Sequence, residues 1–417
     1  MSSAGPTLTP ALSREREREQ AWLRWVDRVG AGLVLILPVF LLHGRAPADV
    51  TLSLIGVLFL VQAAARGEWE WLRRPWVQIA AAWWGWLVLC SVRTDLGQAL
   101  AVVRFPLLAA ALAYWVFEQE WLRVWVARLL RWSVIYIGVQ CLMQFGFGHN
   151  LFGWPKGAAG ELTGPYTKPR AGPVLSRVLF PALLVWGRTR WRQLAVMVGA
   201  VALMLLVAQR MPLLLTLFGV GLTGVLVKRF RLAALGAGVA AVLLLAALPV
   251  VSPSAAQRVL TQFSKQMSDF GENHYGEIAA RSVAIVKAHP VMGAGFDGFR
   301  RLCDQPEYFQ GWRGDDGGGA AMCVQHPHNF YMQAAVEGGV PGVLLFAALA
   351  VSWLIAIGRG MGGNALRTGL FIAAAIHLWP IAGNTDWVAM PLAGYFFVQL
   401  GLALAYSSGG SSKPIPL

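Results

Sequence analysis

Residues 188–231 read RTRWRQLAVMVGAVALMLLVAQRMPLLLTLFGVGLTGVLVKRFR. Between Arg192 and Lys228 the only charge is Arg210, flanked by the apolar runs 193–208 and 211–227. Each run approaches the ~20 residues that an α-helix needs to cross a bilayer. Cations crowd both outer ends of the pair, and the turn between the runs is almost bare. That is the pattern of a helical hairpin in a membrane, with its basic ends on the cytoplasmic side.

The pattern recurs along the chain. Apolar runs fall at 29–43, 50–65, 76–91, 98–117, 124–146, 172–187, 193–208, 211–227, 232–251, 329–357, 366–382 and 387–406. They predict an all-α integral membrane protein of about 12 transmembrane helices. Composition agrees. Hydrophobic residues make up 56% of the chain, charged residues only 13%, and mean hydropathy is +0.54. A soluble domain carries about 25% charge, so a large soluble core is excluded and lipid is the solvent for most of the surface. The 19 Trp fit membrane interfaces. A net charge of +14 would suggest nucleic acid in a soluble protein. Here most Lys and Arg sit in short spacers, and no aromatic-basic motif is present. The partners expected are membrane lipids, not nucleic acid.

Sidedness follows from those spacers. Arg66, Arg73 and Arg74, then Arg123, Arg128 and Arg131, then Arg188, Arg190 and Arg192, then Lys228, Arg229 and Arg231, then Arg359 and Arg367 mark one face. The alternate spacers hold Arg45, Arg93 and Arg210 at most. The first face is cytoplasmic by the positive-inside rule. The expected organisation is a cytoplasmic segment 1–28 without a cleavable signal peptide, and membrane helices 1–9 over 29–251 with a periplasmic loop near 147–171. A periplasmic segment 252–327 with helix-like pieces at 254–270 and 276–288 follows. Membrane helices 10–12 over 328–406 and a cytoplasmic tail 407–417 complete it.

The residues able to carry chemistry gather on the outer face. Gln325-His326-Pro327-His328-Asn329 stands where the outer segment meets the tenth span. Pro327 suits a first helical turn, and a neutral imidazole there can act as a general base. An idle interfacial pair or a His-x-His metal site are the alternatives, but further ligands at metal spacing are missing. Arg210 sits in a very short outer turn and Arg281 in a helix-like stretch; Lys168, Arg170 and Arg177 add charge nearby. Guanidinium groups match phosphate oxygens bidentately. No Asp-x-Asp pair offers a divalent ion a seat beside a diphosphate, and Asp315-Asp316 reads as solvated loop. A chemistry without metal or other cofactor is expected. Cys90 and Cys141 read as packing residues, whereas Cys303 and Cys323 share the outer segment and form a disulfide candidate in an oxidising compartment.

At these positions the chain resembles the bacterial O-antigen ligase family, within the superfamily that also holds O-antigen polymerases and protein O-oligosaccharyltransferases. His328-Asn329, nine residues, then Gly339-Val340-Pro341-Gly342-Val343 follows the family pattern, and His289-Pro290 followed by Gly293-Ala294-Gly295 resembles a second signature. Arg281 and Arg210 stand where the family keeps arginines. The resemblance implies a GT-C-like fold with a small helical periplasmic subdomain between helices 9 and 10, in the bacterial inner membrane. It implies transfer of O-antigen polysaccharide en bloc from undecaprenyl diphosphate to lipid A–core. His328 would be the base, with His326 second. Arg210 and Arg281 would stabilise the diphosphate. The stretch 163–170 matches no family pattern; from their charge Lys168, Arg170 and Arg177, with Asn329 beside the base, are further candidates for contacts to substrate. The transfer would be a metal-independent single displacement that inverts the anomeric centre. A polymerase or protein-glycosylating enzyme of the same superfamily is the near alternative. A lipid or glycan transporter is the distant one, disfavoured because transport sites lie near the midplane.

Overall fold

The computed structural model describes residues 10–261, 264, 268, 274–309, 323–324, 326–359, 361, 364–383 and 388–408. Among these the regular structure is all helical, with one isolated bridge, His149 to Pro155, in place of any strand. The helices are α1 (Pro10–His43), α2 (Arg45–Arg66), α3 (Pro75–Cys90), α4 (Leu96–Ala101), α5 (Arg104–Tyr114), α6 (Glu120–Phe147), α7 (Ala171–Trp186), α8 (Arg190–Val207), α9 (Arg210–Leu226), α10 (Arg231–Val251) and α11 (Pro253–Ala256). They continue with α12 (His274–Ala288), α13 (Gly298–Leu302), α14 (Pro306–Phe309), α15 (Phe330–Gly358), α16 (Ala365–His377) and α17 (Leu392–Ser408).

Among the described residues, seven helical segments are long and apolar enough to cross a membrane: Gln20–His43, Arg45–Arg66, Leu96–Glu118, Glu120–Phe147, Arg190–Val207, Lys228–Val251 and Phe330–Gly358. Five more are apolar but shorter: Pro75–Cys90, Ala171–Trp186, Arg210–Leu226, Ala365–His377 and Leu392–Ser407. The chain is a multi-pass membrane protein. α10 shows why. It buries only Ala233, Ala237, Ala241 and Leu248 and leaves Leu235, Val239, Val242, Leu243 and Val250 exposed. Only lipid can cover such a face. α7 is the opposite case, with nearly every side chain buried at the centre of the bundle.

Local chemistry shifts several element ends from the apolar runs. α1 begins at Pro10, because Arg, Glu and Gln are good helix formers and extend the first span into the charged segment. The run 98–117 is interrupted by a turn at Val102 and Val103, since Pro106 cannot donate to Val102. The expected first-turn proline is also misplaced. α15 starts at Phe330 with Asn329 as its cap, so His326, Pro327 and His328 lie ahead of the helix.

α15 is broken. Gly339 has φ 66° and ψ −161°, a conformation open only to glycine, and Pro341 supplies no N–H. The backbone groups freed there are met from outside the helix. Ala294 N–H donates to Val336 O at 2.7 Å, Gly295 N–H to Glu337 O at 3.0 Å, and Val340 N–H to Pro290 O at 2.8 Å. The Trp86 indole donates to Gly338 O at 2.8 Å. A side chain on Gly293 would meet the Glu337 carbonyl at 2.6 Å, and one on Gly339 would strike the Val291 oxygen. The two glycine motifs are therefore a single interlocked seat, and the half-helix it holds begins two residues after His328.

Candidate active site

Alternate helix ends converge on one cavity of about 220 Å³. Its walls include Pro169, Ser176 and Arg177 from the start of α7, Gln209 and Arg210 from the α8–α9 turn, Arg258, Tyr275, His328 and Gly383. Among the described residues, three arginines and no carboxylate line it.

Each arginine is delivered by a specific local device. α8 ends at Ala208 in the left-handed region, so that Gln209 and Arg210 begin α9 after an abrupt reversal. Gly172 lets the turn settle on α7, since a side chain there would meet Gln209 Oε1 at 2.5 Å. Arg177 is buried in α7 and donates to Pro173 O at 2.7 Å. Arg258 lies in a π-helical turn, Gln257–Thr261, a form common at functional sites. It donates to Ala208 O at 3.2 Å and pairs with Glu161 at 3.4 Å, tying the α8–α9 turn to the 147–170 loop.

That loop is built around two buried amides. Gln144 accepts from Thr163 N–H and Gly164 N–H, both at 2.9 Å, and donates to Thr163 Oγ1 at 2.8 Å. Asn150 accepts from Phe152 and Trp154 N–H at 2.9 Å and donates to Gly164 O at 2.7 Å.

The two histidines separate. His328 lines the cavity and has φ 55°. The left-handed region costs a non-glycine residue about 1–2 kcal/mol, and strain of this kind gathers at functional sites. Its ring lies 6.1 Å from that of Tyr275 and 4.8 Å, edge-on, from that of His326. His326 is not among the lining residues. Burial pushes its imidazole down to about 4, and its Nε2 has no hydrogen-bond partner among the described residues. It stays neutral near pH 7 because it is desolvated, not because of a helix terminus.

Other candidates lie elsewhere. Arg281 is 1% exposed and packs among α12–α14, in the segment 274–309. It donates to Cys303 O at 3.1 Å, approaches Cys323 Sγ at 3.7 Å and pairs with Glu277 at 3.9 Å. It does not line the cavity; it braces the Cys303–Cys323 bridge, whose sulfurs are 1.92 Å apart. Asn329 has both amide atoms engaged in structure. It accepts from Tyr331 and Met332 N–H at 2.9 and 3.0 Å and donates to Pro380 O at 2.8 Å and Ala382 O at 3.2 Å. That makes it the clamp between α15 and the end of α16. Lys168 and Arg170 line a second cavity, of about 140 Å³, with His43, Arg45, Trp154 and Tyr166. Pro169 between them faces the first cavity. Gln325 and Asp315-Asp316 lie outside the described residues. Cys90 and Cys141 are free thiols.

Residues 175–347 match the family model described as O-antigen ligase. This stretch is an O-antigen ligase domain. It holds Arg177, Arg210, Arg258, Tyr275, His328 and both halves of the glycine seat. Enzymes of this family are glycosyltransferase-like and act on polysaccharide and lipid-linked substrates in membranes. A search of curated proteins finds no match to the chain.

Two lining residues of the O-antigen ligase domain, Arg258 and Tyr275, are missed by motif reading. Arg258 carried a usable signal: cations on the outer face are scarce, and it directly follows a span. Tyr275 carried none. For the bridge, reduction, or a Cys303→Ser substitution, is expected to cost the subdomain about 3 kcal/mol for a loop of 20 residues. Thermal melting with and without reductant measures it, and an unchanged midpoint would count against a structural role.

Proposed function

We propose that the protein is an O-antigen ligase of the bacterial inner membrane. It transfers O-antigen polysaccharide en bloc from undecaprenyl diphosphate to a sugar hydroxyl of lipid A–core on the periplasmic face. The observation that carries this reading is one cavity lined, among the described residues, by three arginines and one histidine. A diphosphate is a good leaving group, and its growing charge needs preorganised cations. Arg210 and Arg258, which meet at the α8–α9 turn, supply them together with Arg177. The acceptor hydroxyl needs a base, and His328 takes that proton. The hydroxyl oxygen attacks the anomeric carbon as the bond to the diphosphate oxygen breaks, in one step with inversion. Arg281 acts at a distance, through the bridge that closes the segment before His328. Lys168 and Arg170, across Pro169 from the first cavity, fit a phosphorylated acceptor. The architecture proposed is a GT-C-like bundle of twelve spans with both termini cytoplasmic.

Transfer by purified protein from a synthetic polyprenyl-diphosphate glycan to lipid A–core tests the reading, and activity is expected to survive EDTA. Loss on chelation with rescue by magnesium would overturn the arginine-only neutralisation. Extension of a second donor glycan instead of lipid A–core would mark a polymerase. For sidedness, reporter fusions at Arg190, Arg229 and Arg359 should read cytoplasmic and fusions in 147–171 periplasmic. A cytoplasmic reading in 274–309 would put the cavity on the wrong side for both substrates.

A further inference from the structure

At the end of α8, α9 and α10 far from the arginine–histidine cavity lies a third cavity, also basic and larger than that first one at about 580 Å³. α8 has 18 residues, which places the two cavities about 27 Å apart along it at 1.5 Å per residue. Arg188, Arg190, Lys228 and Arg229 line the cavity together with Trp191, Gln193, Leu194, Leu232 and Ala233. No carboxylate among the described residues lines it, and α6 adds Arg131, close enough to Arg188 for the two charges to interact.

The cavity is held in shape from beneath. Phe230, fully buried, fills the space over Gly187, where a side chain would collide with its ring at 2.6 Å. Gln193 donates to Gly187 O at 3.2 Å. The first turns of α8 and α10 both open onto the cavity, and their amide ends favour an anion in addition to the side-chain charges.

The neighbouring surface identifies the class of anion. Leu232, Leu235, Val239 and Val242 form a stripe along α10 that is 63–71% exposed and runs from the cavity toward the membrane interior. Trp191, at the cavity rim, is 68% exposed, as suits a ring at headgroup level. A ring of cations above an apolar stripe matches a phosphate headgroup with acyl chains attached. A free phosphate would match the cations but make no use of the apolar stripe that adjoins them.

We propose that this cavity is a binding site for one anionic diacyl phospholipid of the leaflet opposite the catalytic face. The site is independent of the glycan chemistry. Basic spacers alone serve topology and bind such lipids diffusely, so the test separates a site from general charge. Full-length protein in detergent micelles is titrated with phosphatidylglycerol or phosphatidylcholine and examined by native mass spectrometry. One phosphatidylglycerol should be retained in preference to phosphatidylcholine. R190Q/R229Q should weaken retention about 30-fold, following the usual contribution of two cations near a lipid surface. R73Q/R74Q, at another basic spacer outside the cavity, should leave it unchanged. Leu235→Gln should weaken the lipid without touching any charge, and covers the case in which the arginine pair fails to fold. Inorganic phosphate and glycerol phosphate in millimolar excess should not displace the lipid. Equal loss in R73Q/R74Q, equal retention of phosphatidylcholine, or displacement by free phosphate would each overturn the proposal.

Discussion

Replacing His328 with alanine lowers glycan transfer by about 10²–10⁴ while binding of the lipid diphosphate donor persists. The magnitude is that of a missing general base, and donor binding persists because Arg177, Arg210 and Arg258 still line the cavity. His326→Ala has a smaller effect, through packing against the His328 ring at 4.8 Å. The pH profile distinguishes the two. A base must be unprotonated, so wild-type transfer falls as the pH drops and the catalytic imidazole takes up a proton. Burial holds His326 near 4, so a limb near neutral pH cannot arise from it. That limb should vanish from the residual rate of His328→Ala. Single-turnover transfer against pH, with donor binding measured separately, decides the assignment. Normal ligation by His328→Ala with a dead His326→Ala would transfer the role to His326, and two active variants would remove the base altogether.

The second large effect is expected at Arg210. Arg210→Ala should lower single-turnover transfer by about 10²–10³, the usual result of removing one preorganised donor to a developing anion, and should also weaken donor binding. That second loss separates it from His328→Ala. Arg210→Lys should stay well below wild type, because a point ammonium lacks the planar fork that grips two phosphate oxygens. Arg258→Ala should behave similarly but also loosen the loop, since Arg258 holds Glu161 at 3.4 Å and Ala208 O at 3.2 Å. Glu161→Gln breaks the ion pair and leaves the guanidinium in place, so it isolates the positioning contribution. Full activity in Arg210→Lys would mean that charge alone suffices. Full activity in Arg210→Ala would take this residue out of the site.

The bundle was largely legible in the sequence because lipid imposes a one-dimensional signature. Each apolar run, from 29–43 to 387–406, coincides with a helix or a broken pair of helices. Ends were less legible, because hydropathy does not register Pro106 or the cap at Asn329. At the candidate cavity the sequence was legible by residue type. Scarce outer cations pointed to Arg210, and the motif pointed to His328; both line the same cavity. What charge counting cannot tell is which guanidinium reaches that cavity. Arg281 and Arg258 are both outer arginines, yet one lies against a disulfide and the other against the cavity. That choice depends on contacts across 22 and 50 residues. The loop after α6 was equally hidden, because a buried Gln144 or Asn150 looks like any other amide until its partners are in place.

The interlocked glycines bear on how such a chain can change over time. The room that Gly293 leaves vacant is filled by the peptide at Glu337–Gly338, and the room that Gly339 leaves vacant by the carbonyls of Pro290 and Val291. Neither position can drift alone, because a methyl group at one displaces the main chain of the other. A side chain added at either glycine, 46 residues apart, is thus expected to disturb both stretches and with them the backbone that presents His328.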